Sequence, residues 1–117
     1  MPEQRSAPRH ERRLSLEIAS EPHGRFEIET VNLSLSGACC RSRYFVPLMT
    51  RLRVTMLLPG ERAPEPLRAD AVVVRVQPAT APGTDGSYDL ALYFTQMRPA
   101  DQDRLGAFLR GRPGGAA

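Results

Sequence analysis

Apolar and polar residues alternate in six short runs along this chain, which is the pattern of strands with one buried face. The first two runs are separated by a Glu-Pro-His-Gly turn at residues 21–24, so they predict a hairpin. Pro59 and Gly60 end the fourth run. The predicted strands cover residues 14–19, 25–32, 38–42, 52–58, 67–76 and 88–94.

One helix is predicted after the sixth strand. Pro99 suits its first position, and Asp101 and Asp103 suit its first turn, where the helix dipole is positive. Six short antiparallel strands in so small a chain indicate a barrel, because closure removes exposed strand edges. The expected fold is therefore all-β, a six-stranded antiparallel β-barrel flanked by one C-terminal α-helix. The apolar stripe of that helix consists of Leu105, Phe108 and Leu109.

Composition places the chain among ordinary globular proteins of one domain, with 117 residues and 25% charged side chains. The domain is expected at residues 9–111, with a flexible tail at 1–8 and a disordered tail at 112–117. No run of apolar residues approaches a membrane span, and no signal peptide is evident, so we expect a cytoplasmic protein without membrane insertion. The net charge of +3 is compatible with an anionic partner.

The residues that commonly carry catalysis or bind metals do not form a recognisable set. Cys39 and Cys40 are neighbours, and neighbours on a strand point to opposite faces, so they are expected to be plain strand residues. His10 and His23 lie far from them in the sequence, which argues against a zinc site. We therefore expect no enzyme activity, no metal and no cofactor.

Two short motifs carry more specific chemistry. Arg9 and Arg13 form an R-x-x-x-R pattern just before the first strand, and Asn32, Ser34 and Gly37 form N-x-S-x-x-G after the second. An arginine fork can pair with phosphate oxygens or with guanine O6 and N7. Asn and Ser can hydrogen-bond a base edge, and glycine lets a backbone approach closely. Together the motifs suit a ligand with phosphates and purines.

Each motif also has a plain structural interpretation. The arginines could form a solvated basic run, partly neutralised by Glu11. Asn32, Ser34 and Gly37 could simply build a turn between two strands.

In the order and spacing of these two motifs, the chain resembles the PilZ domain family of bacterial cyclic di-GMP receptors. The resemblance covers roughly residues 9–109 and implies the same six-stranded barrel with a C-terminal helix. It also implies that Arg9 and Arg13 grip phosphate and guanine, that Asn32 and Ser34 read a guanine edge, and that Gly37 permits close approach. Arg5 and Arg9 fit the first pattern too, but Arg13 directly precedes the first strand, where the second arginine of the family lies.

Four other residues qualify this picture. The resemblance implies that Arg12 either points away or makes an auxiliary contact. It gives Ser36 as a second candidate auxiliary contact, although Ser36 stands where the family often has glycine or another small residue. Met49 and Thr50 stand before the fourth strand, where the family commonly has a glycine.

The resemblance implies a cyclic di-GMP receptor that acts in trans on an effector protein, since the 117 residues contain no effector domain of their own. One alternative is a PilZ-type adaptor that binds a protein and no nucleotide. Another is a small RNA-binding barrel. Tryptophan is absent and other aromatic residues are few, so the strands lack stacking faces and a nucleic-acid partner is disfavoured.

Overall fold

The computed structural model describes residues 14–20, 24–59 and 65–111, which form six strands and one helix. Each strand pairs antiparallel with two neighbours, so the sheet closes into a barrel in the order β1-β2-β3-β6-β5-β4. The predicted six-stranded barrel with a C-terminal helix is confirmed. The elements are β1 (Ser15–Ser20), β2 (Gly24–Leu33), β3 (Gly37–Ser42), β4 (Arg51–Met56), β5 (Leu67–Pro78), β6 (Tyr88–Met97) and α1 (Pro99–Leu109).

Alternation along the strands produces the core. Leu16 and Ile18 of β1 are fully buried, and they face Met56 and Val54 of β4 across the seam that closes the barrel. The polar residues between them point outward, as the period of two requires. Apolar side chains from all six strands and α1 form one cluster, and this cluster fills the barrel.

The ends of β4 and β5 differ from the sequence prediction, because backbone pairing with a neighbouring strand decides where each strand ends. β4 ends at Met56, two residues early, although Leu58 is still buried. β5 runs on to Pro78 and pairs it with Tyr88. The segment between β5 and β6 is closed by a hydrogen bond from the Ala79 N–H to the Ser87 carbonyl at 2.9 Å. The long hairpin continues because the two strands satisfy each other's backbone groups.

α1 begins at Pro99, and its predicted stripe is buried in the same hydrophobic cluster as the core of the barrel. Arg110 follows its last turn, and Gly111 adopts a left-handed conformation with φ of 78°. Glycine takes this conformation without a steric penalty, so it is suited to the residue that follows the end of a helix. No helix within the described residues is long and apolar enough to cross a membrane.

The loop before β4 contains a second left-handed residue. Met49 has φ of 69°, a conformation that costs a residue with a side chain about 1–2 kcal/mol. Met49 is one of the two residues, Met49 and Thr50, for which the resemblance implies a glycine. The Met49 N–H donates to the Val73 carbonyl at 2.7 Å, and the Val73 N–H donates to the Thr50 carbonyl at 3.0 Å. These bonds hold the loop on β5.

Asp101 is a buried carboxylate at the start of α1, with 1% of its surface exposed. Its oxygens accept from the Arg98 guanidinium at 3.3 Å, from Arg104 at 3.1 Å and from the Arg68 backbone N–H at 3.5 Å. Burial alone raises the pKa of Asp101. The hydrogen bonds from Arg98 and Arg68, with the charges of Arg98 and Arg104, outweigh burial and hold the pKa below the usual range.

We expect Asp101→Ala to lower the free energy of unfolding by about 2–3 kcal/mol, because two arginines and one backbone N–H lose a common acceptor. Since the folded-state pKa is lowered, the stabilisation is complete above the ordinary aspartate pKa of about 3.9 and disappears as the pH falls through the folded value. Urea unfolding at pH 7 and pH 3 checks both statements. We expect the difference in the free energy of unfolding between wild type and Asp101→Asn to be smaller at pH 3 than at pH 7. Asp103→Asn, a change at an exposed position, is the control. A difference that is equal at both pH values contradicts the assignment.

The predicted tails at 1–8 and 112–117 lie outside the described residues, as does the proposed start of the domain at residue 9. The described part of the domain prediction is one barrel with its helix, from residue 14 to residue 111.

Candidate functional site

The N-x-S-x-x-G segment forms a tight turn between β2 and β3. The Ser34 N–H donates to the Gly37 carbonyl at 2.9 Å, and the Ser36 N–H donates to the Ser34 hydroxyl at 3.3 Å. The hydroxyls of Ser34 and Ser36 lie 3.2 Å apart. Ser34 therefore builds the turn, as the structural interpretation of the motif requires. A hydroxyl has one donor and two acceptor positions, so this role still leaves it capacity for a ligand.

Gly37 lets β3 approach β6. A Cβ atom added at Gly37 would lie 2.0 Å from the Leu92 carbonyl oxygen, far inside van der Waals contact. The Phe94 N–H donates to the Ser36 carbonyl at 2.9 Å, so the turn is also bonded to β6. The φ angle of Gly37 is not positive, so the backbone conformation does not require glycine here. The close approach that the structure shows at Gly37 is to a neighbouring strand, and the approach to a ligand remains a prediction.

The outer surface beside this turn is a trough of about 390 Å³. Its floor consists of small residues, Gly37, Cys39 and Ala91, which lie on β3 and β6. One wall, the β2–β3 wall, consists of Asn32, Ser34 and Ser36. The opposite β5–β6 wall consists of Val74, Arg75 and Tyr93. The trough thus brings together all described members of the predicted site.

A β-bulge lies directly before Asn32 in one wall of the trough and directly before Arg75 in the other. In β2 the pairing moves from Thr30 to Asn32, which leaves Val31 as an extra residue. In β5 it moves from Val73 to Arg75, which leaves Val74 as an extra residue. Bulges of this kind change where the following side chains point.

The two bulges align one row of residues across four strands. Asn32 pairs with Cys39, Cys39 with Ala91, and Ala91 with Arg75. Three strand spacings of about 4.8 Å separate the ends of this row by roughly 14 Å along the sheet. Asn32 and Arg75 thus stand on opposite sides of a floor without large side chains.

The start of β1 leads directly to the β2–β3 wall. The Leu14 N–H donates to the buried Thr30 hydroxyl at 2.9 Å, and the Thr30 N–H donates to the Leu14 carbonyl at 2.8 Å. Arg13 is the residue before Leu14, and Thr30 is two residues before Asn32. The attachment point of the R-x-x-x-R segment is therefore near the trough. Arg9, Arg12 and Arg13 themselves lie outside the described residues.

The cysteines occupy the positions predicted for neighbours on a strand. Cys40 points into the core, where burial and then the neighbouring Cys39 raise the pKa of its thiol, so it stays protonated. Cys39 is half-buried in the floor of the trough. In the part of the chain that the structure describes, no group of three or more His, Cys, Asp and Glu side chains could hold a metal ion.

The sequence does not indicate that residues of β5 and β6 form a wall of the trough. The run of valines in β5 predicts that Val72, Val74 and Val76 share one face, but the bulge at Val74 changes the phase. The structure instead buries Val73, with Val74 half exposed. Only the pairing of β6 with β3, which is remote in sequence, brings Arg75 and Tyr93 to the trough. The sequence carries no local signal of this.

A model of the PilZ domain matches residues 3–111 of this sequence. The chain belongs to the PilZ domain family. The match includes both motifs and every element of the barrel, so the turn and the trough described above are features of a PilZ domain. No match was found among curated proteins.

Several solved structures share this fold at low sequence identity. The inhibitor of motility from Bacillus subtilis superposes with a TM-score of 0.76 at 20% identity, over 94% of this chain and 51% of that one. Apo MrkH from K. pneumonia has a TM-score of 0.74 at 17% identity, over 95% and 51%. The PilZ domain of YcgR from Escherichia coli, solved with c-di-GMP, has a TM-score of 0.68 at 11% identity, over 93% and 91%. The present chain therefore spans about half the length of the first two proteins.

Proposed function

We propose that this PilZ domain is a non-enzymatic cyclic di-GMP receptor that passes the signal to an effector protein in trans. The observation that carries the proposal is the trough. It gathers Asn32, Ser34 and Gly37 on one surface, beside the strand start that follows Arg13.

The chemistry of this surface suits a ligand with two guanines and two phosphates. Arg9 and Arg13 supply guanidinium forks for phosphate oxygens or for guanine O6 and N7. Asn32 and Ser34 supply neutral hydrogen-bonding groups at the β2–β3 wall, where a guanine edge can lie. The floor of small residues leaves space for a flat base above it.

Two related structures support the choice of ligand. The Escherichia coli YcgR domain was solved with c-di-GMP, and MrkH from K. pneumonia was solved as a complex with c-di-GMP. Both have the barrel of the present chain, although their identities of 11% and 16% support only the fold. The motif residues of this chain supply the rest of the argument.

Signal output is proposed to follow from ordering of the R-x-x-x-R segment. Arg9 lies four residues from Arg13, up to about 13 Å away in an extended chain, so both reach one compact ligand only if the segment folds over the turn. Two phosphates relieve the repulsion between the arginines. The folded segment would then present a different surface to the effector, which is a disorder-to-order switch.

Titration calorimetry of the unmodified chain with cyclic di-GMP tests the proposal, with GTP and cyclic AMP as controls. We expect saturable binding of cyclic di-GMP and much weaker heats with the controls. Absence of binding under these conditions would favour the adaptor that binds only protein.

We expect Asn32→Ala and Ser34→Ala to lower the affinity for cyclic di-GMP by up to about tenfold, because each removes a neutral hydrogen-bonding group. The loss persists at 50 mM and 300 mM salt, since no charge is removed, whereas binding of a basic patch to RNA responds mainly to salt. Ser15→Ala, an exposed change on β1 outside the trough, is the control. If the chain bound cyclic di-GMP and RNA oligonucleotides of random sequence with equal affinity, and salt abolished both, the receptor proposal would be wrong.

A further inference from the structure

The β5–β6 wall of the trough has no part in the function proposed so far. It presents the exposed side chains of Val74, Arg75 and Tyr93 toward the same space as Asn32 and Ser34. Half of the Val74 surface and half of the Tyr93 surface are accessible, at 50% and 52%. Apolar and aromatic surface of this kind beside a polar trough offers a flat contact for a base.

The bulge at Val74 places Arg75 on this wall. Regular alternation along β5 buries Leu67, Ala69, Ala71 and Val73, so residue 75 is expected to point into the core as well. The extra residue in the ladder reverses the phase, and Arg75 lies outside, opposite Ala91. Since Ala91 has only a methyl group, nothing large stands between the guanidinium and the floor of the trough.

Arg75 also differs from several other outward arginines of the barrel. Arg25, Arg41 and Arg53 are each paired with a carboxylate, at 3.4, 3.0 and 3.5 Å. Arg75 has no such ion pair in residues 14–20, 24–59 and 65–111. A planar guanidinium with five donors and no acidic partner is well suited to a nucleotide, through stacking or through bidentate hydrogen bonds to guanine.

From this geometry we infer that Arg75 and Tyr93 hold the second guanine of the dinucleotide, at the wall opposite Asn32 and Ser34. The inference rests on the proposed function. Residues 32 and 75 stand about 14 Å apart along the sheet, so one guanine contacts the β2–β3 wall while the other reaches the β5–β6 wall. The small floor residues lie under the ligand between them.

The test compares the affinity for cyclic di-GMP of wild type, Arg75→Ala, Arg75→Lys and Arg51→Ala by titration calorimetry. Arg51 is an exposed arginine on β4, outside the trough, so its variant controls for the loss of one positive charge. We expect both Arg75 variants to bind about ten- to a hundredfold more weakly and Arg51→Ala to bind within twofold of wild type. Lysine keeps the charge but lacks the planar fork that a base contact needs.

Tyr93 provides a second arm of the same experiment. Tyr93→Phe keeps the ring and is expected to bind nearly as wild type, whereas Tyr93→Ser is expected to bind about tenfold more weakly. Thermal unfolding of each variant separates weaker binding from a loss of fold.

The outcomes separate a failure of the Arg75 contact from a failure of the proposed receptor function. If the wild type does not bind cyclic di-GMP, both the receptor proposal and the inference are overturned. If it binds and Arg75→Ala matches Arg51→Ala, only the inference is overturned. Full rescue by Arg75→Lys likewise overturns the base contact, because charge alone is then sufficient.

Discussion

Gly37→Ala is expected to lower the free energy of unfolding by about 3 kcal/mol and the thermal midpoint by roughly 10–20 °C. The added Cβ would lie 2.0 Å from the Leu92 carbonyl oxygen, and the backbone atoms of Leu92 and Tyr93 that surround it cannot rotate away. β3 and β6 must separate, which weakens the ladder between them and moves the floor of the trough. Cyclic di-GMP binding should therefore be lost together with stability.

The matched control is Gly106→Ala in α1. There the added Cβ would meet only the Arg110 guanidinium, at 3.2 Å, and that flexible side chain can move. Alanine also favours the helix by about 1 kcal/mol over glycine. We expect an unchanged or higher midpoint for Gly106→Ala in the same differential scanning experiment. A Gly37→Ala protein that melts within 2 °C of wild type would refute the packing role of Gly37.

Arg9→Ala and Arg13→Ala are each expected to weaken cyclic di-GMP binding about ten- to a hundredfold without changing the thermal midpoint. A hydrogen bond to a charged group contributes roughly 1.5–3 kcal/mol, which corresponds to that range of affinity. Arg5→Ala serves as the control, because it belongs only to the other register of R-x-x-x-R. Titration calorimetry decides between the registers: a loss for Arg5 with none for Arg13 would show that ours is wrong.

Hydrogen exchange of the same segment checks the proposed switch. The backbone amides of residues 5–13 should exchange more slowly once cyclic di-GMP is bound, while those of β6 change little. Binding without new protection in this segment would mean that the site is already formed in the free protein, and the disorder-to-order output would be wrong.

The architecture could be predicted because local rules and global packing agree in this chain. Leu16 and Ile18 in β1, and Leu52 and Val54 in β4, alternate with polar residues and are buried as alternation requires. The start of α1 at Pro99 follows from helix chemistry. The motif turn could also be located, since Asn, Ser and Gly interrupt two strand patterns. Every one of these signals lies within a few neighbouring residues.

The trough could be predicted only in part. The order of the two motifs indicated the β2–β3 wall, and the ligand chemistry that it implies stays a prediction. It did not indicate the β5–β6 wall, because a bulge at Val74 reverses the phase of a regular valine run. A bulge is a property of two paired strands, and β5 and β6 approach Asn32 only when the barrel closes.

Two further residues show where the sequence alone stops. The amino-acid pattern determined the strands, the helix and the turn, since each depends on residues close together in the chain. Only the tertiary structure shows that the backbone of Leu92 leaves no space for a side chain at residue 37. It also shows that Asp101, which is suited to any helix N-terminus, is buried between arginines. The physical reason is common to both. Steric contact and desolvation depend on which distant backbone lies beside a residue, and closure of the barrel selects that neighbour.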